Sequence, residues 1–407
     1  MRRVHVNDGS NVAEDTFHKL RDNSPAGGWF PASQCLSWRI TESNLAHTDL
    51  FFSPHLKKIS VYAPQRWIGS EVPSNILATI SSTISALPTS ALQFLSVSIY
   101  CAVPLTHLTD SLSSVILRCG PSLMEFTSTV PLSDAAVDHL IQLPHLRTWR
   151  IEGPPPSYSA SPLPPVFPPL TKLALGKDAV RGWLSLFQRS EDDVPTMQGV
   201  TPLSKTKESL ESLDISSPSG LIINASFISS VQVFRNLVTL GVADPCRDEN
   251  GEVRCTFKLN NGDITELAMA LPRLEFLFLG RPCAENTCVT TVACLLPLSV
   301  YCIKLKKLQI HFNTTKIVGD LKNISEDPRL QELRSLPKCP LLHLYVNQTP
   351  LILDEPGLDT AVKGILDIFP SLVDCVGGDR VWDVLSGKIR MINWRTSVSA
   401  ALHFPLA

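Results

Sequence analysis

Charged residues are scarce in this chain of 407 residues, and neither sign dominates. Lys, Arg, Asp and Glu make up 18% of the residues, and the formal net charge is −2. Domains that bind nucleic acid usually carry a clustered basic excess, and the small group of Lys304, Lys306 and Lys307 does not provide one. We therefore expect no nucleic-acid partner. Apolar residues reach 44%, which supports an extended core and excludes a disordered chain.

Closely paired cysteines are absent. The chain has 11 cysteines, and none are spaced as C-x-x-C. Structural zinc sites usually use such paired ligands, so we expect no metal site and reduced thiols that pack as small apolar side chains. A disulfide or metal role is the alternative, and the closest group for it is Cys283, Cys288, Cys294 and Cys302.

No targeting or membrane segment is evident. The first 15 residues contain two arginines but no apolar stretch, so they do not form a secretory signal. Residues 286–303 carry no charge, but they include Pro297 and several Ser and Thr. A membrane helix needs about 20 mostly apolar residues, so this stretch predicts buried core. We expect a cytoplasmic or nuclear protein without a membrane partner.

Catalytic motifs are missing as well. The chain has no G-x-S-x-G, no phosphate-binding loop ending in Gly-Lys-Ser/Thr, no H-E-x-x-H and no G-x-G-x-x-G, the patterns that mark common catalytic and nucleotide sites. We expect no catalytic residues, no cofactor and no cofactor-binding residues. The acidic segment around Asn250 and Gly251 loosely resembles a calcium loop, but Phe257 stands where that loop needs Glu. A tight hairpin is the better interpretation.

A short apolar pattern recurs along the chain. Its six positions are apolar, variable, variable, apolar, variable, apolar, as in Leu56, Ile59 and Val61 of HLKKISV. Clear copies begin at Leu56, Leu92, Leu146, Leu170, Leu210, Leu237, Leu274, Leu305 and Leu341, and weaker ones at Leu123 and Leu372. Positions 4 and 6 have the period of a strand with one buried face. Stacked copies would bury a common core and form a parallel sheet.

Helices are predicted before several of these strands. SDAAVDHLIQLPHL has Ser133 as N-cap, GDITELAMALPRL has Asp263 as a possible cap, and LDTAVKGILDIFPSL follows the same pattern. A proline lies two residues before the next position 1 in each case, at Pro144, Pro272 and Pro370. Proline ends helices, so the unit is helix, turn, strand.

Successive copies begin 23 to 40 residues apart, whereas regular leucine-rich repeats run about 20–29 residues. We therefore predict an α/β fold, an irregular leucine-rich-repeat solenoid with parallel strands on its concave face and helices on its convex face. It covers residues 35–378, with insertions at 153–169 and 190–208. Residues 1–34 would form an N-terminal cap or a partly disordered segment, and 379–407 a C-terminal cap.

The two insertions differ in character. Residues 153–169 contain eight prolines and predict an extended surface loop, either a stiff connector or a ligand for an SH3 or WW module. Residues 190–208 are polar and turn-rich, which predicts a mobile loop.

LIQLPHLRTWRIEG and LAMALPRLEFLFLG resemble the repeat region of F-box proteins of mushroom-forming fungi. The resemblance extends from about Cys35 to Gly378. It implies a leucine-rich-repeat fold and a substrate receptor of a ubiquitin ligase. The F-box itself, a helical module of some forty residues, is not evident in residues 1–50. A ubiquitin-ligase adaptor is therefore an expected partner only if an F-box precedes this sequence, and the resemblance assigns no functional residues.

The sequence thus predicts a non-catalytic scaffold that binds a protein on the concave face of its sheet. Partner-binding residues are not fixed, but variable positions of the repeat are candidates, for example Lys57, Ser60, Lys172, Ala174, Glu275, Phe278, Lys306 and Gln309. Two alternatives are an enzyme on an α/β fold with an unrecognised site, and a free-standing structural repeat protein.

Overall fold

The computed structural model describes residues 3–6, 14–23, 29–40, 47, 50–63, 74–99, 106–151, 168–176, 179, 204–216, 222–243, 257–280, 289–346, 351, 353–377 and 380–402. The chain forms two compact units, which we call the N-terminal unit (Met1–Ser209) and the C-terminal unit (Leu210–Ala407). Each unit is an α/β structure built on parallel strands, in agreement with the predicted fold class.

In its described residues the N-terminal unit has seven strands and five helices. The strands are β1 (Arg3–Val6), β2 (Cys35–Arg39), β3 (Lys58–Tyr62), β4 (Phe94–Ser98), β5 (Glu125–Ser128), β6 (Thr148–Ile151) and β7 (Lys172–Gly176). The helices are α1 (Glu14–Asp22), α2 (Ser74–Ser85), α3 (Thr106–Arg118), α4 (Asp134–Ile141) and α5 (Ser204–Ser209). Each strand pairs in parallel with the next one along the chain.

The described part of the C-terminal unit has six strands and seven helices. The strands are β8 (Ser212–Ser216), β9 (Thr239–Val242), β10 (Phe276–Leu279), β11 (Lys307–Ile310), β12 (His343–Val346) and β13 (Asp374–Val376). The helices are α6 (Ala225–Val231), α7 (Asn261–Ala270), α8 (Leu295–Tyr301), α9 (Ile317–Glu326), α10 (Pro328–Ser335), α11 (Glu355–Ile368) and α12 (Arg380–Leu402). Strand order again follows chain order, and all pairs are parallel.

Position 4 of the repeat pattern sets the register of the parallel strands in each unit. Leu95 pairs with Ile59 on one side and Phe126 on the other, and Leu308 pairs with Leu277 and Leu344. Equivalent positions therefore stack strand upon strand. A slip of one residue would turn the apolar side chains to the other face, so the pattern itself specifies the register.

Burial confirms that the pattern marks the core. At position 1, the leucines from Leu56 to Leu372 are at most 1% exposed. At position 4, the residues from Ile59 to Cys375 are also at most 1% exposed. The weak copy at Leu123 has Ser128 at position 6, where the Ser128 hydroxyl donates to the Val130 carbonyl (2.8 Å) and so remains satisfied although it is buried.

The predicted helix at SDAAVDHL is confirmed as α4. The Ser133 side chain accepts a hydrogen bond from the Ala136 amide, as expected of an N-cap, and Val137 and Leu140 are buried. The cap assigned to Asp263 is wrong. Asn260 is the N-cap of α7, and Asp263 lies three residues into the helix, where its carboxylate accepts a bond from the Asn260 amide. The two residues form a reciprocal capping box.

A regular hydrogen-bond ladder leads into the strands. The carbonyl of the residue at position 2 accepts bonds from two consecutive amides of the next unit: Lys57 from Gln93 and Phe94, and Glu275 from Lys306 and Lys307. The same arrangement recurs at Gln34, Gln93, Met124, Arg147, Glu211, Val238, Lys306 and Leu342. These turns are thus satisfied by neighbouring units, since buried backbone groups need partners.

Strand β2 departs from the sequence pattern. Ser33 occupies position 1 and is 2% exposed, while Leu36 and Trp38 at positions 4 and 6 are buried as usual. The Ser33 hydroxyl donates to the Cys35 carbonyl (3.2 Å). A polar residue therefore occupies a position that is apolar in the other copies, so a search for leucine at position 1 does not find this repeat.

Helix α12 packs against β13 through one face. Trp382, Leu385 and Ile389 on that face are fully buried. A Cβ atom added to Gly377 would lie 2.2 Å from the Trp382 ring, so only glycine permits this approach. The Asn393 amide also donates to the Leu372 carbonyl (2.5 Å).

The uncharged stretch 286–303 is largely buried between Thr290 and Cys302, whereas Val289 is 63% exposed and Ile303 57%. It forms a 3₁₀ turn (Val292–Cys294) followed by α8, whose Leu295, Leu298 and Ser299 are fully buried. Within the described residues, no helix is long and apolar enough to cross a membrane. The proline-rich residues 153–167, the segment 190–203 and the acidic segment 244–256 lie outside the described residues.

Candidate functional site

The outward face of each sheet carries the candidate binding residues. Positions 3 and 5 of the pattern alternate with the buried positions 4 and 6, so their side chains share the opposite face of the strand. The predicted examples Ser60, Ala174, Phe278 and Gln309 at position 5, and Lys172 at position 3, are half-buried or exposed there.

The remaining predicted examples are placed differently. Lys57, Glu275 and Lys306 stand at position 2, before the strand begins, and they supply the carbonyls of the ladder. The Lys306 ammonium also donates to the Glu275 carboxylate (2.6 Å). The structure therefore separates the predicted residues into strand-face positions and turn positions.

Small polar side chains dominate the outward face of the N-terminal unit. Ser37, Ser60, Ser96 and Thr127 follow one another in register at position 5 of β2 to β5. Beside them, the Lys58 ammonium lies 5.9 Å from the centre of the Phe94 ring, a cation–π distance. On this face Ser37, Ser60 and Thr127 are half-buried and Ser96 is buried, and the aromatic rings present are those of Phe94 and Tyr62.

Aromatic side chains distinguish the outward face of the C-terminal unit. At position 3, Phe276 of β10 pairs with Lys307 of β11, which pairs with His343 of β12 and then Asp374 of β13. At position 5, Phe278, Gln309 and Tyr345 are in register. We call these seven residues the aromatic face: Phe276, Phe278, Lys307, Gln309, His343, Tyr345 and Asp374. All seven are half-buried.

The local backbone keeps this face open on one side. Gly241 of β9 is in register with Phe278 and adds no side chain beside it. A Cβ atom at Gly241 would lie 2.5 Å from an oxygen of the Asp214 carboxylate. The carboxylate of Asp214 thus lies over the β9 backbone and places an acidic group next to the aromatic face.

His343 and Tyr345 occupy the centre of the face on β12. Their ring centres are 6.4 Å apart, and Gln309, in register with Tyr345, donates a 3.0 Å hydrogen bond to the Gly280 carbonyl. The His343 Nδ1 atom is buried and has no hydrogen-bond partner among the described residues.

Asp374 anchors the β13 end of the face. Its carboxylate accepts bonds from the Ser386 hydroxyl (2.6 Å) and the Arg390 guanidinium (2.7 Å). Burial works to raise the pKa of Asp374, but these two hydrogen bonds and the charges of Arg390 and His343 hold the pKa below its ordinary value. The carboxylate is therefore ionised and fixed in place.

Phe276, His343, Tyr345 and Asp374 were not among the residues singled out from sequence. These residues share a face because of the strand register. That register could have been predicted only by aligning position 4 of neighbouring copies. Such an alignment places Phe276 and His343 in one row, and Phe278 and Tyr345 in the next.

The thiols that the structure describes are buried. Among the described residues, Cys35, Cys119, Cys294, Cys302, Cys339 and Cys375 are free and buried. Burial raises the pKa of Cys119, Cys302 and Cys339 to about 12 each, whereas reactive cysteines have lowered values. In the described part of the chain, no three His, Cys, Asp or Glu side chains are grouped so that they could hold a metal ion.

No family model matches the chain, and no curated protein matches it. What the chain binds must therefore be argued from the aromatic face itself.

Proposed function

We propose that this chain is an irregular leucine-rich-repeat protein that binds a protein partner through the aromatic face and does not catalyse a reaction. The observation that carries the proposal is the row of half-buried Phe276, Phe278 and Tyr345 on an outward sheet face. Aromatic residues are enriched at protein interfaces, and tyrosine is common among the few residues that carry most of the binding energy there.

The repeat assignment rests on the recurring strand unit. Apolar residues at positions 1, 4 and 6 are buried, equivalent positions stack in register, and position 2 carbonyls bridge to the next unit. Units of this kind cannot bury their apolar face alone, and stacking provides the common core. The variable residues at positions 3 and 5 then remain for binding.

The chemistry of the aromatic face indicates the kind of partner. Apolar rings lie beside the charged side chains of Lys307 and Asp374, which suits a partner segment with an apolar anchor and a nearby polar or charged group. The resemblance to F-box receptors extends the proposal: the partner is a protein selected for ubiquitination, and an F-box elsewhere would bind the ligase adaptor.

Affinity capture with a matched pair of variants tests the proposal. The tagged full chain, a Phe278→Ser/Tyr345→Ser variant and a Met269→Ser control are exposed to the same fungal lysate, and captured proteins are quantified by mass spectrometry. Met269 is 59% exposed on α7, away from the aromatic face. We expect a protein that the wild type and the control capture equally and that the double variant loses by about tenfold or more.

Thermal unfolding of the three proteins must first show that the double variant is folded. Equal capture of every protein by a folded double variant would contradict the proposal. If a captured protein also gains ubiquitin when the chain is co-expressed with it, the receptor role is supported, and binding without ubiquitination would leave only the scaffold.

A further inference from the structure

The outer side of helix α12 is unusually apolar for an exposed surface. Its inner side holds the buried Trp382, Leu385 and Ile389, but Met391 is 50% exposed and Ile392 42%. Trp394, three residues after Met391, is 65% exposed. Contiguous exposed apolar residues usually mark an interaction site, and none of these residues belongs to the aromatic face.

Met391 and Ile392 border a groove between α11 and α12. The groove has a volume of 540 Å³, and its apolar lining comes from Val362 and Leu366 of α11 and from Met391 and Ile392 of α12. Val362 is only 3% exposed and forms part of the floor, whereas Met391 and Ile392 form a wall. The groove is thus an apolar channel between two roughly paired helices.

The charges at the groove leave a positive excess. Lys388 pairs with Asp359 (2.5 Å), and Asp367 pairs with Arg334 (3.4 Å). Lys363 and Arg395 also line the groove, and neither has an ion pair or hydrogen bond among the described residues. A partner with carboxylates at its edge would neutralise both cations.

We propose that this groove binds an amphipathic helical segment of another protein, with an apolar stripe flanked by carboxylates. From Lys388 to Arg395, the α12 wall spans two turns, about 10 Å at 1.5 Å per residue. That length matches side chains at i, i+3, i+4 and i+7 of a docked helix, the usual anchors when a helix lies in a groove.

Two other occupants fit the charges less well. A second copy related by two-fold symmetry would bring the same patch against itself, which would place the unpaired Lys363 and Arg395 of both copies in one interface. An anionic membrane is usually recognised by clusters of 4–8 basic residues, whereas this groove has two unpaired cations and the carboxylates of Asp359 and Asp367.

The first test uses a fluorescein-labelled synthetic helix with leucines at i, i+3, i+4 and i+7 and glutamates on both flanks. Fluorescence anisotropy measures its binding to the full chain. We expect saturable binding that Met391→Glu and Ile392→Glu each weaken about tenfold or more. Met269→Glu is the control, because Met269 lies on another helix and is 59% exposed, against 50% for Met391.

The second test reverses the charges at the groove. Lys363→Glu/Arg395→Glu should weaken binding of the glutamate helix and strengthen binding of the same helix with lysines on its flanks. Lys304→Glu, at an exposed cation outside the groove, should change neither. Phe278→Ser should also leave peptide binding intact, which separates this groove from the aromatic face.

Any of four results would overturn the proposal. The glutamate helix fails to bind, or it binds the Met391→Glu variant as well as the wild type. Sedimentation shows a wild-type dimer that Met391→Glu dissociates, which makes a second copy the occupant. Vesicles with 30% phosphatidylserine bind the wild type but not Lys363→Glu/Arg395→Glu, which makes a membrane surface the occupant.

Discussion

The Ser386 hydroxyl of α12 donates a 2.6 Å hydrogen bond to the Asp374 carboxylate of β13. The same hydroxyl accepts a weaker bond from the Cys375 amide (3.4 Å), and Arg390, one turn further along α12, donates to Asp374 at 2.7 Å. A single carboxylate therefore joins the helix, the strand and the end of the aromatic face.

Replacing this carboxylate should destabilise the C-terminal unit. Asp374→Asn keeps the size of the side chain but loses two charge-assisted bonds, so we expect the free energy of unfolding to fall by about 1–2 kcal/mol. Urea unfolding followed by circular dichroism measures the change. Asp383→Asn, at an exposed residue of α12, is the control and should change stability by less than about 0.5 kcal/mol.

The contribution of Asp374 should also depend on pH. Its pKa in the folded chain is lower than the ordinary value of 3.8, so the folded state binds the proton less readily than the unfolded state. The stabilisation is therefore present above the ordinary pKa and is lost as the pH falls through the lower, native value. The stability difference between wild type and Asp374→Asn should be constant near neutrality and shrink in acid; a difference that grew in acid would contradict this assignment.

The repeat pattern predicts that truncating a core side chain at position 4 lowers the free energy of unfolding by more than the loss of Asp374 does. Leu277 is fully buried between Leu240 and Leu308, so Leu277→Ala should reduce the free energy of unfolding by about 2–5 kcal/mol because it leaves a cavity. Chemical denaturation measures it. Met269→Ala removes an apolar side chain that is 59% exposed, and a loss there as large as at Leu277 would argue against the core assignment.

The strands whose apolar residues recur at a strict spacing could be predicted from the sequence. Positions 1, 4 and 6 identified nine strands, and positions 1 and 4 alone two more, because burial demands apolar residues at fixed spacing; all eleven appear as β3 to β13. Strand β2 was harder to detect because Ser33 stands at position 1. Strand β1 has only four residues, with Val4 and Val6 as its inner positions, too few to show a period.

The candidate sites were less predictable than the fold. The aromatic face requires that Phe276, His343 and Asp374, which come from three separate strands, lie in one row. The groove depends on the packing of α11 against α12. Helix periodicity places Met391 outside the buried face of α12, but it does not show which helix lies beside Met391. Both depend on tertiary contacts, which local patterns do not encode.

The capping box of α7 gives a local test. Asn260 accepts bonds from the amides of Gly262 (2.7 Å) and Asp263 (3.1 Å), which would otherwise be unsatisfied at the helix start. Asn260→Ala should cost about 1 kcal/mol, whereas Asn260→Asp retains an accepting oxygen and should be nearly neutral. Thermal unfolding distinguishes them, and equal losses in both variants would argue for a role other than capping.

The buried thiols make a prediction about chemical reactivity. Alkylation by iodoacetamide requires the thiolate, and burial raises the pKa of Cys119, Cys302 and Cys339 to about 12. At pH 8, only about one such thiol in ten thousand would be ionised, against roughly a quarter of the thiols at an ordinary pKa near 8.5.

Burial adds a second barrier to alkylation, since the reagent must reach the sulfur. Cys302 is fully buried, and its Sγ lies 3.7 Å from the carbonyls of Ala268 and Leu271. We therefore expect these three cysteines to be alkylated at pH 8 only as fast as the protein unfolds, and fully alkylated in urea. Peptide mass spectrometry with site assignment measures both rates.

Destabilising the core with Leu277→Ala should accelerate native-state labelling of Cys302 and Cys339, because unfolding of the C-terminal unit is the step that exposes them. Rapid labelling of the folded wild type at Cys302 would show instead that its thiol is accessible.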